Sequence, residues 1–315
     1  MKKAVKIVAT GRALPEKRLT NNDLCRIIDT TDEWIVSRTG IRERRTVENE
    51  TVTTLAADAA REAIMRAMEE DPDFSKESIG AVFVASSTSD TLFPSIAAML
   101  QKEVGLPESI ISYDLSTACS GFVFGICTAH AFMEAEGIKY VLVVASEVVS
   151  GIVDYTDRST CILFGDGAGA AVLKLEDDEK GFVSVRYTSG GGELVSCKAN
   201  GKMRMNGPEV FKFAVKTIER CINELLEKSG YTLDDIDCVV CHQANKRIID
   251  YVKKRYPDYA DKFYSDVDHI GNTSAASIPI ALDEMREEGL IKPKMKAICV
   301  GFGGGLTYGG VIVNL

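Results

Sequence analysis

Three residues of reactive type each stand where an apolar run meets a turn. Cys119 in "DLSTACSGFVFGICTAHAFMEAEG" follows a short strand-like run and opens a stretch that is apolar on nearly every side. A helix without a polar face is a buried helix. A thiol in its first turn would feel the positive end of the helix dipole, which favours the nucleophilic thiolate. Ser120 and Gly121 keep the approach to that thiol narrow-bodied. His242 ends the apolar run "IDCVVC", at the kind of strand terminus where α/β sheets present functional groups. Asn272 in "HIGNTSAASIP" precedes a helix, as a plain N-cap or as a donor turned toward a site. The run "GFGGGLTYGG" frees the backbone for unusual dihedrals. It can aim amide N–H groups at a developing oxyanion, or serve as a flexible hairpin.

Other reactive residues fall away on geometry. Cys238, Cys241 and His242 spell C-x-x-C-H, a pattern of covalent haem attachment. Side chains alternate along a strand, so cysteines three apart face opposite sides and cannot grip one group. Cys127 reads as core. His130 is eleven residues past Cys119, roughly 16 Å along a helix, too far to partner it. His269 lies in a polar loop with no evident role. "FGDGAGA" is followed by a strand rather than a helix, so it reads as a turn and not as a dinucleotide fingerprint.

The elements that must position these residues come in a repeated order. Val52, Leu55, Ala56, Ala59, Ala60, Ala63, Ile64, Ala67 and Met68 mark an amphipathic helix. Then come the strand "IGAVFVASS", a helix opening near Pro94, the strand "IISYDL", the helix after Thr117, and the strands "KYVLVVAS" and "AGAAVLKLE". The second half replays this. A helix through Val210–Leu226 stops at Gly230, and "IDCVVC", a helix from Ala244 to about Tyr256, "KFYSDV", a helix after "GNTSAAS" and two closing strands follow. Alternating strands and helices indicate an α/β fold. Two like halves, 1–174 and 175–315, predict a pseudo-two-fold that brings the helix N-termini after Cys119 and Asn272 together.

Composition narrows the function classes. The chain is 315 residues, 45% hydrophobic and 26% charged, an ordinary globular profile. A net charge of −9 disfavours nucleic acid as a main partner. Apolar runs such as Val141–Ala145 fall short of the roughly 20 residues of a membrane helix, so no membrane is expected. "MKKAVKIVATG" reads as a first strand, which places the protein in the cytoplasm and its nine cysteines in the reduced state.

In that order and at those separations, "DLSTACSGF", "HQANKRI", "GNTSAASIP" and "GFGGGLTYG" resemble the β-ketoacyl-acyl carrier protein synthase III family. The likeness also takes in "TTDEWIVSRTGIRERR" and "DRSTCILFGDGAGAAVL", so it runs nearly end to end. It implies a thiolase-like fold, duplicated and five-layered (α-β-α-β-α), in a homodimer. It implies that Cys119 takes an acyl group from acyl-CoA, and that His242 and Asn272 stabilise the enolate formed as malonyl-acyl carrier protein loses CO2. The N–H groups of Cys119 and Gly304 would hold the oxyanion. Trp34 and Arg158 would sandwich the CoA adenine, with Arg38, Gly207 and Asn245 along the rest of that ligand. Lys246, Arg247, Lys253 and Lys254 would dock the acidic carrier protein, and Phe93 would floor the partner subunit's acyl pocket. Neither a metal nor a cofactor is implied, acyl-CoA being a substrate.

Overall fold

The computed structural model describes residues 2–190 and 192–315. The first half forms strands β1 (Lys2–Ala13), β2 (Ile79–Ala85), β3 (Ile111–Leu115), β4 (Tyr140–Glu147) and β5 (Gly167–Asp178). They lie in the order β3-β2-β4-β5-β1, with β3, β2 and β4 parallel and β5 antiparallel to both its neighbours. Every residue of β4 is buried, as a strand covered on both faces requires.

The second half repeats the pattern with β6 (Val183–Thr188), β7 (Cys238–Cys241), β8 (Lys296–Gly303) and β9 (Thr307–Asn314). Their order is β7-β8-β9-β6, with β7 parallel to β8 and β9 antiparallel to β8 and β6. "KFYSDV" takes the place of β3, but only Phe263 pairs, in a single parallel bridge to Val239. The two sheets touch at one parallel pair, Lys6 with Asn314. The expected division after residue 174 falls within β5, which runs on to Asp178.

The helices that cover the sheets or reach the cavity are α1 (Asp32–Thr39), α2 (Val52–Glu70), α3 (Ile96–Glu103), α4 (Gly121–Glu136), α5 (Gly207–Ser229), α6 (Lys246–Lys253) and α7 (Ser277–Glu287). Helices α2 and α3 cover the outer face of the first sheet, through Leu55, Ala59, Ala63, Ile96 and Leu100 against β2 and β4. Helices α5 and α6 cover the outer face of the second, through Ile218, Ile222, Ile248 and Val252 against β7 and β8. Between the sheets lie α4 and α7, in one core with residues of both. Five layers result, as the resemblance implied. Met68, read above as part of the buried face of α2, is exposed.

The segment Ala118–Glu136 has the length and composition of a membrane-spanning helix. Its Phe122, Val123, Ile126 and Met133 are instead packed in the central layer. Cys238 faces that central core and Cys241 the outer one, so the C-x-x-C-H match is coincidental.

The two halves meet through matching devices. A 3-10 turn, Ala118–Ser120, leads into α4, and a 3-10 turn, Ser274–Ala276, leads into α7. Each begins with a non-glycine residue in the left-handed region, Ala118 at φ +48° and Ser274 at φ +54°. The structural counterpart of Cys119 is therefore Ala275. Cys119 sits within its turn, whereas Asn272 precedes the other one. At the meeting point a Cβ on Gly121 would lie 2.7 Å from Ala85 Cβ and 3.1 Å from Ala275 Cβ. Gly121→Val should therefore force the central helices apart and cost about 1–3 kcal/mol. A lower urea midpoint at unchanged slope is the expected reading, and a wild-type midpoint would show slack at this contact.

Candidate active site

Cys119, His242 and Asn272 come from three separate elements and line one cavity of about 1040 Å³. Cys119 occupies the middle of the turn before α4. What accessible surface it has opens into this cavity. The glycine run explains how the cavity floor closes over it. A Cβ on Gly303 would stand 2.7 Å from Cys119 N and 3.0 Å from its Cβ, so only glycine permits the approach. Thr307 Oγ1 lies 2.9 Å from the carbonyl oxygens of Thr117 and Gly304, either of which can accept its one proton, and Ser120 Oγ lies 2.9 Å from it. The glycine turn and the nucleophile turn are thereby tied together. Gly304 lines the cavity beside Cys119.

His242 follows β7, its N–H bonded to Val300 O at 2.8 Å and its ring edge-on to Phe302 at 5.0 Å. The side chain is buried, and desolvation pushes the imidazole down to about 3, so it is neutral at physiological pH. Nδ1 lies 2.7 Å from Ser277 Oγ, which also accepts the Gln243 N–H at 3.3 Å. That second bond leaves the Ser277 hydroxyl proton free to be donated to Nδ1. The ring then carries its proton on Nε2, as a donor toward the cavity. Ser277, the first residue of α7, is a positioning residue that sequence reading missed.

Asn272 is fixed from behind. Its backbone bonds Leu163 O and Gly165 N at 2.9 and 3.0 Å, and its Oδ1 accepts the Ser274 N–H at 2.9 Å. With Oδ1 taken, Nδ2 remains as a donor. Beneath that segment, fully buried Arg44 bonds Ile162 O, Leu19 O and Asn21 Oδ1.

Burial works against the thiolate that a helix N-terminus would favour. The regular helix starts at Gly121, beyond the cysteine, and burial pushes the Cys119 thiol up to about 12. The Ser274 hydroxyl, 3.3 Å from Sγ, opposes this, while the charge of Glu147 adds to it. Glu147 was not singled out from the sequence. The available signal was an acidic residue ending the mostly apolar run "YVLVVAS".

At the mouth, Trp34, Arg38, Gly207, Asn245 and Arg247 line the same cavity. Arg158 lies directly over the Trp34 ring at 4.5 Å and donates to Asp29 O at 2.9 Å. A base between the two would part them to about 7 Å, twice the ~3.5 Å contact distance of stacked atoms. The expected sandwich is thus closed here. Asn245 is engaged as well. It caps α6 by accepting the Arg247 N–H, and it donates to Arg38 O at 3.1 Å. A Cβ on Gly207 would meet open space. On α6 and its end, Arg247 and Lys254 are exposed, while Lys246 and Lys253 are half-buried. Helix α6 is shorter than expected at both ends. Phe93 lies outside this cavity, 85% exposed beside Leu92 at 96%.

The remaining histidines are structural. His130 stacks on Phe182 at 4.2 Å. His269 lies 2.7 Å from Glu284 Oε1 and 3.2 Å from Asp268 Oδ1, and the hydrogen bond to Glu284 leads in raising it to about 9. A base raised above its ordinary 6.5 adds stability that is complete below pH 6.5 and lost as pH rises through about 9. His269→Gln should therefore show its largest deficit in urea midpoint at pH 6 and little at pH 10. A deficit equal at both would contradict the assignment.

Comparison with known proteins places the chain in a family. The family models described as 3-oxoacyl-[acyl-carrier-protein (ACP)] synthase III and as its C terminal match residues 113–191 and 226–315. A β-ketoacyl-[acyl-carrier-protein] synthase III of Clostridium acetobutylicum is 42% identical over 99% of this chain and 98% of its own. Among solved structures, the 3-oxoacyl-[acyl-carrier-protein] synthase III of Aquifex aeolicus is 40% identical with a TM-score of 0.92, over 99% of this chain and 100% of that one. The priming β-ketosynthase of the R1128 polyketide pathway is 33% identical with a TM-score of 0.93, over 100% of this chain and 97% of its own.

Proposed function

The chain belongs to the 3-oxoacyl-[acyl-carrier-protein] synthase III family of condensing acyltransferases, and on that premise we propose that Cys119, His242 and Asn272 carry out its reaction. The protein condenses an acyl-CoA primer with malonyl-acyl carrier protein, and the fold is thiolase-like. In our reading the primer is acetyl-CoA and the reaction starts fatty acid synthesis in the cytoplasm. The observation that carries the site assignment is the convergence of a thiol, a neutral imidazole and an anchored carboxamide on one cavity.

Cys119 Sγ attacks the thioester carbon of acyl-CoA, and the N–H groups of Cys119 and Gly304 receive the oxyanion. CoA leaves and an acyl-cysteine remains. Malonyl-acyl carrier protein then enters, and its thioester oxygen accepts hydrogen bonds from His242 Nε2 and Asn272 Nδ2. As CO2 departs, those two donors stabilise the enolate, whose carbon attacks the acyl group and releases Cys119. A histidine that stays neutral suits this step, because it donates a hydrogen bond without giving up its proton.

The mouth suits the nucleotide end of CoA. Trp34 and Arg158 offer an indole and a guanidinium to the adenine. Arg38 supplies charge for phosphate, and Gly207 and Asn245 border the path inward. Lys246, Arg247, Lys253 and Lys254 form a basic patch on an acidic protein, complementary to an acidic carrier protein. Exposed Leu92 and Phe93 are side chains that a second copy of the chain would cover, in keeping with a homodimer.

Two measurements test this reading. After incubation with acetyl-CoA, intact mass should rise by one acetyl group located on Cys119, and the group should vanish on adding malonyl-acyl carrier protein. Cys119→Ala should lose condensation by about 10⁴-fold or more. Absence of any adduct with short acyl-CoA primers would refute the assignment. Trp34, the single tryptophan, should change its emission as CoA enters. Arg158→Ala should raise the CoA Kd roughly fivefold, the ~1 kcal/mol of one exposed cation–π contact. Unchanged emission at saturating CoA would move the adenine elsewhere.

A further inference from the structure

Glu147 is a fully buried carboxyl at the end of β4, lining the cavity that holds Cys119. The groups facing it are the Ser87 N–H at 3.1 Å and the Thr88 hydroxyl at 2.6 Å on Oε2, the Ser274 hydroxyl at 3.0 Å on Oε1, the Ala275 N–H, and the Cys119 thiol. Among the described residues, no lysine or arginine pairs with it. A carboxyl with 0% exposure and no cation partner is a costly feature that family reading leaves unused.

Ser274 Oγ sits between the two acids, 3.3 Å from Cys119 Sγ and 3.0 Å from Glu147 Oε1. A hydroxyl has one proton and can donate in only one direction. Both contacts are hydrogen bonds only if the other partner carries a proton, as the thiol of Cys119 or as the acid form of Glu147. The two arrangements are the two ends of one proton movement.

The geometry points to Glu147 as the proton acceptor that activates Cys119, with Ser274 as the relay between them. This assignment rests on the reading of Cys119 as the nucleophile. The S–H bond breaks as its proton passes to Ser274 Oγ, and the Ser274 proton passes to Glu147 Oε1. A thiolate, an intact serine and a neutral carboxylic acid result. Burial raises the Glu147 carboxyl, but its donors Ser87, Thr88, Ser274 and Ala275 favour the carboxylate from which the relay starts, so the net charge of the site stays at −1 and moves from oxygen to sulfur, with no new ion created in a buried space. Transfer to His242 would create an ion pair instead, on an imidazole that burial holds neutral. When CoA leaves as a thiolate, the proton held on Glu147 is the one that completes CoA–SH. The carboxylate is thereby restored.

The test is the single-turnover rate of acetyl transfer from acetyl-CoA to Cys119, followed by intact mass across pH 6–9. Wild-type protein is measured first. If it takes no acetyl group, the nucleophile assignment fails, independently of the relay. Glu147→Gln keeps the shape and the acceptor oxygen but cannot take the proton, and it should slow acetyl transfer about 10²–10³-fold at pH 7, within the range of general-base catalysis. Its rate should then climb about tenfold per pH unit as solvent hydroxide takes over, while the wild-type rate stays nearly level. Ser274→Ala should show the same loss and slope, and the double variant should be no slower than either single one. Ser274→Ala leaves Glu147 its Ser87, Thr88 and Ala275 donors, so it carries the test alone should Glu147→Gln fail to fold. A folded Glu147→Gln or Ser274→Ala with acetyl transfer within twofold of wild type and a level pH profile would overturn the relay.

Discussion

The structure depends on one steric constraint, the meeting of two helix N-termini at the centre with almost nothing between them. Gly121 lies against Ala85 and Ala275, where a single Cβ would already be too close. Each half must therefore turn sharply before its helix, and the positive φ of Ala118 and Ser274 is the local cost of doing so. Those turns lift Cys119 and Ser274 into the same small volume, 3.3 Å apart, from halves that are more than a hundred residues apart in sequence. The five layers give this contact its rigidity. The two outer helix pairs seal the sheets, and the sheets clamp α4 and α7.

Burial at that centre sets the electrostatics. The same desolvation raises the thiol, raises the Glu147 carboxyl and depresses the imidazole, so each group resists its charged form. Such a site favours moving an existing charge over creating a pair. That preference suits a reaction in which a malonyl carboxylate gives up its charge to an enolate, a tetrahedral oxyanion and finally a thiolate. Neutral donors, fixed by Ser277 and by the backbone around Asn272, can follow this charge without rearrangement.

Much of this was legible in the residues because polar groups at the ends of apolar runs are conspicuous. Cys119, His242 and Asn272 stood out in that way, and so did the order of strands and helices that repeats across the halves. The offset of the repeat was not legible, since the turn that defines it depends on a backbone conformation that neither Ala118 nor Ser274 advertises. Glu147 was passed over because an acidic residue ending a strand usually meets water. Its neighbours Ser87, Thr88 and Ser274 come from two distant loops. Ser274 looked like one more small residue in "GNTSAAS". The contact between Trp34 and Arg158 illustrates another limit, because residue types suited to gripping a base equally stack on each other. Phe263 shows how one bridge can stand for a whole strand when the flanking pattern is too weak to pair.

The most direct measurement of the central claim is a crystal structure of the acetylated protein. The account predicts an acetyl group on Cys119 Sγ with its carbonyl oxygen toward the N–H groups of Cys119 and Gly304. His242 Nε2 and Asn272 Nδ2 would face the open side, where the second thioester must enter. An acetyl oxygen bound instead to His242 and Asn272, or an acetyl group on any other residue, would contradict it.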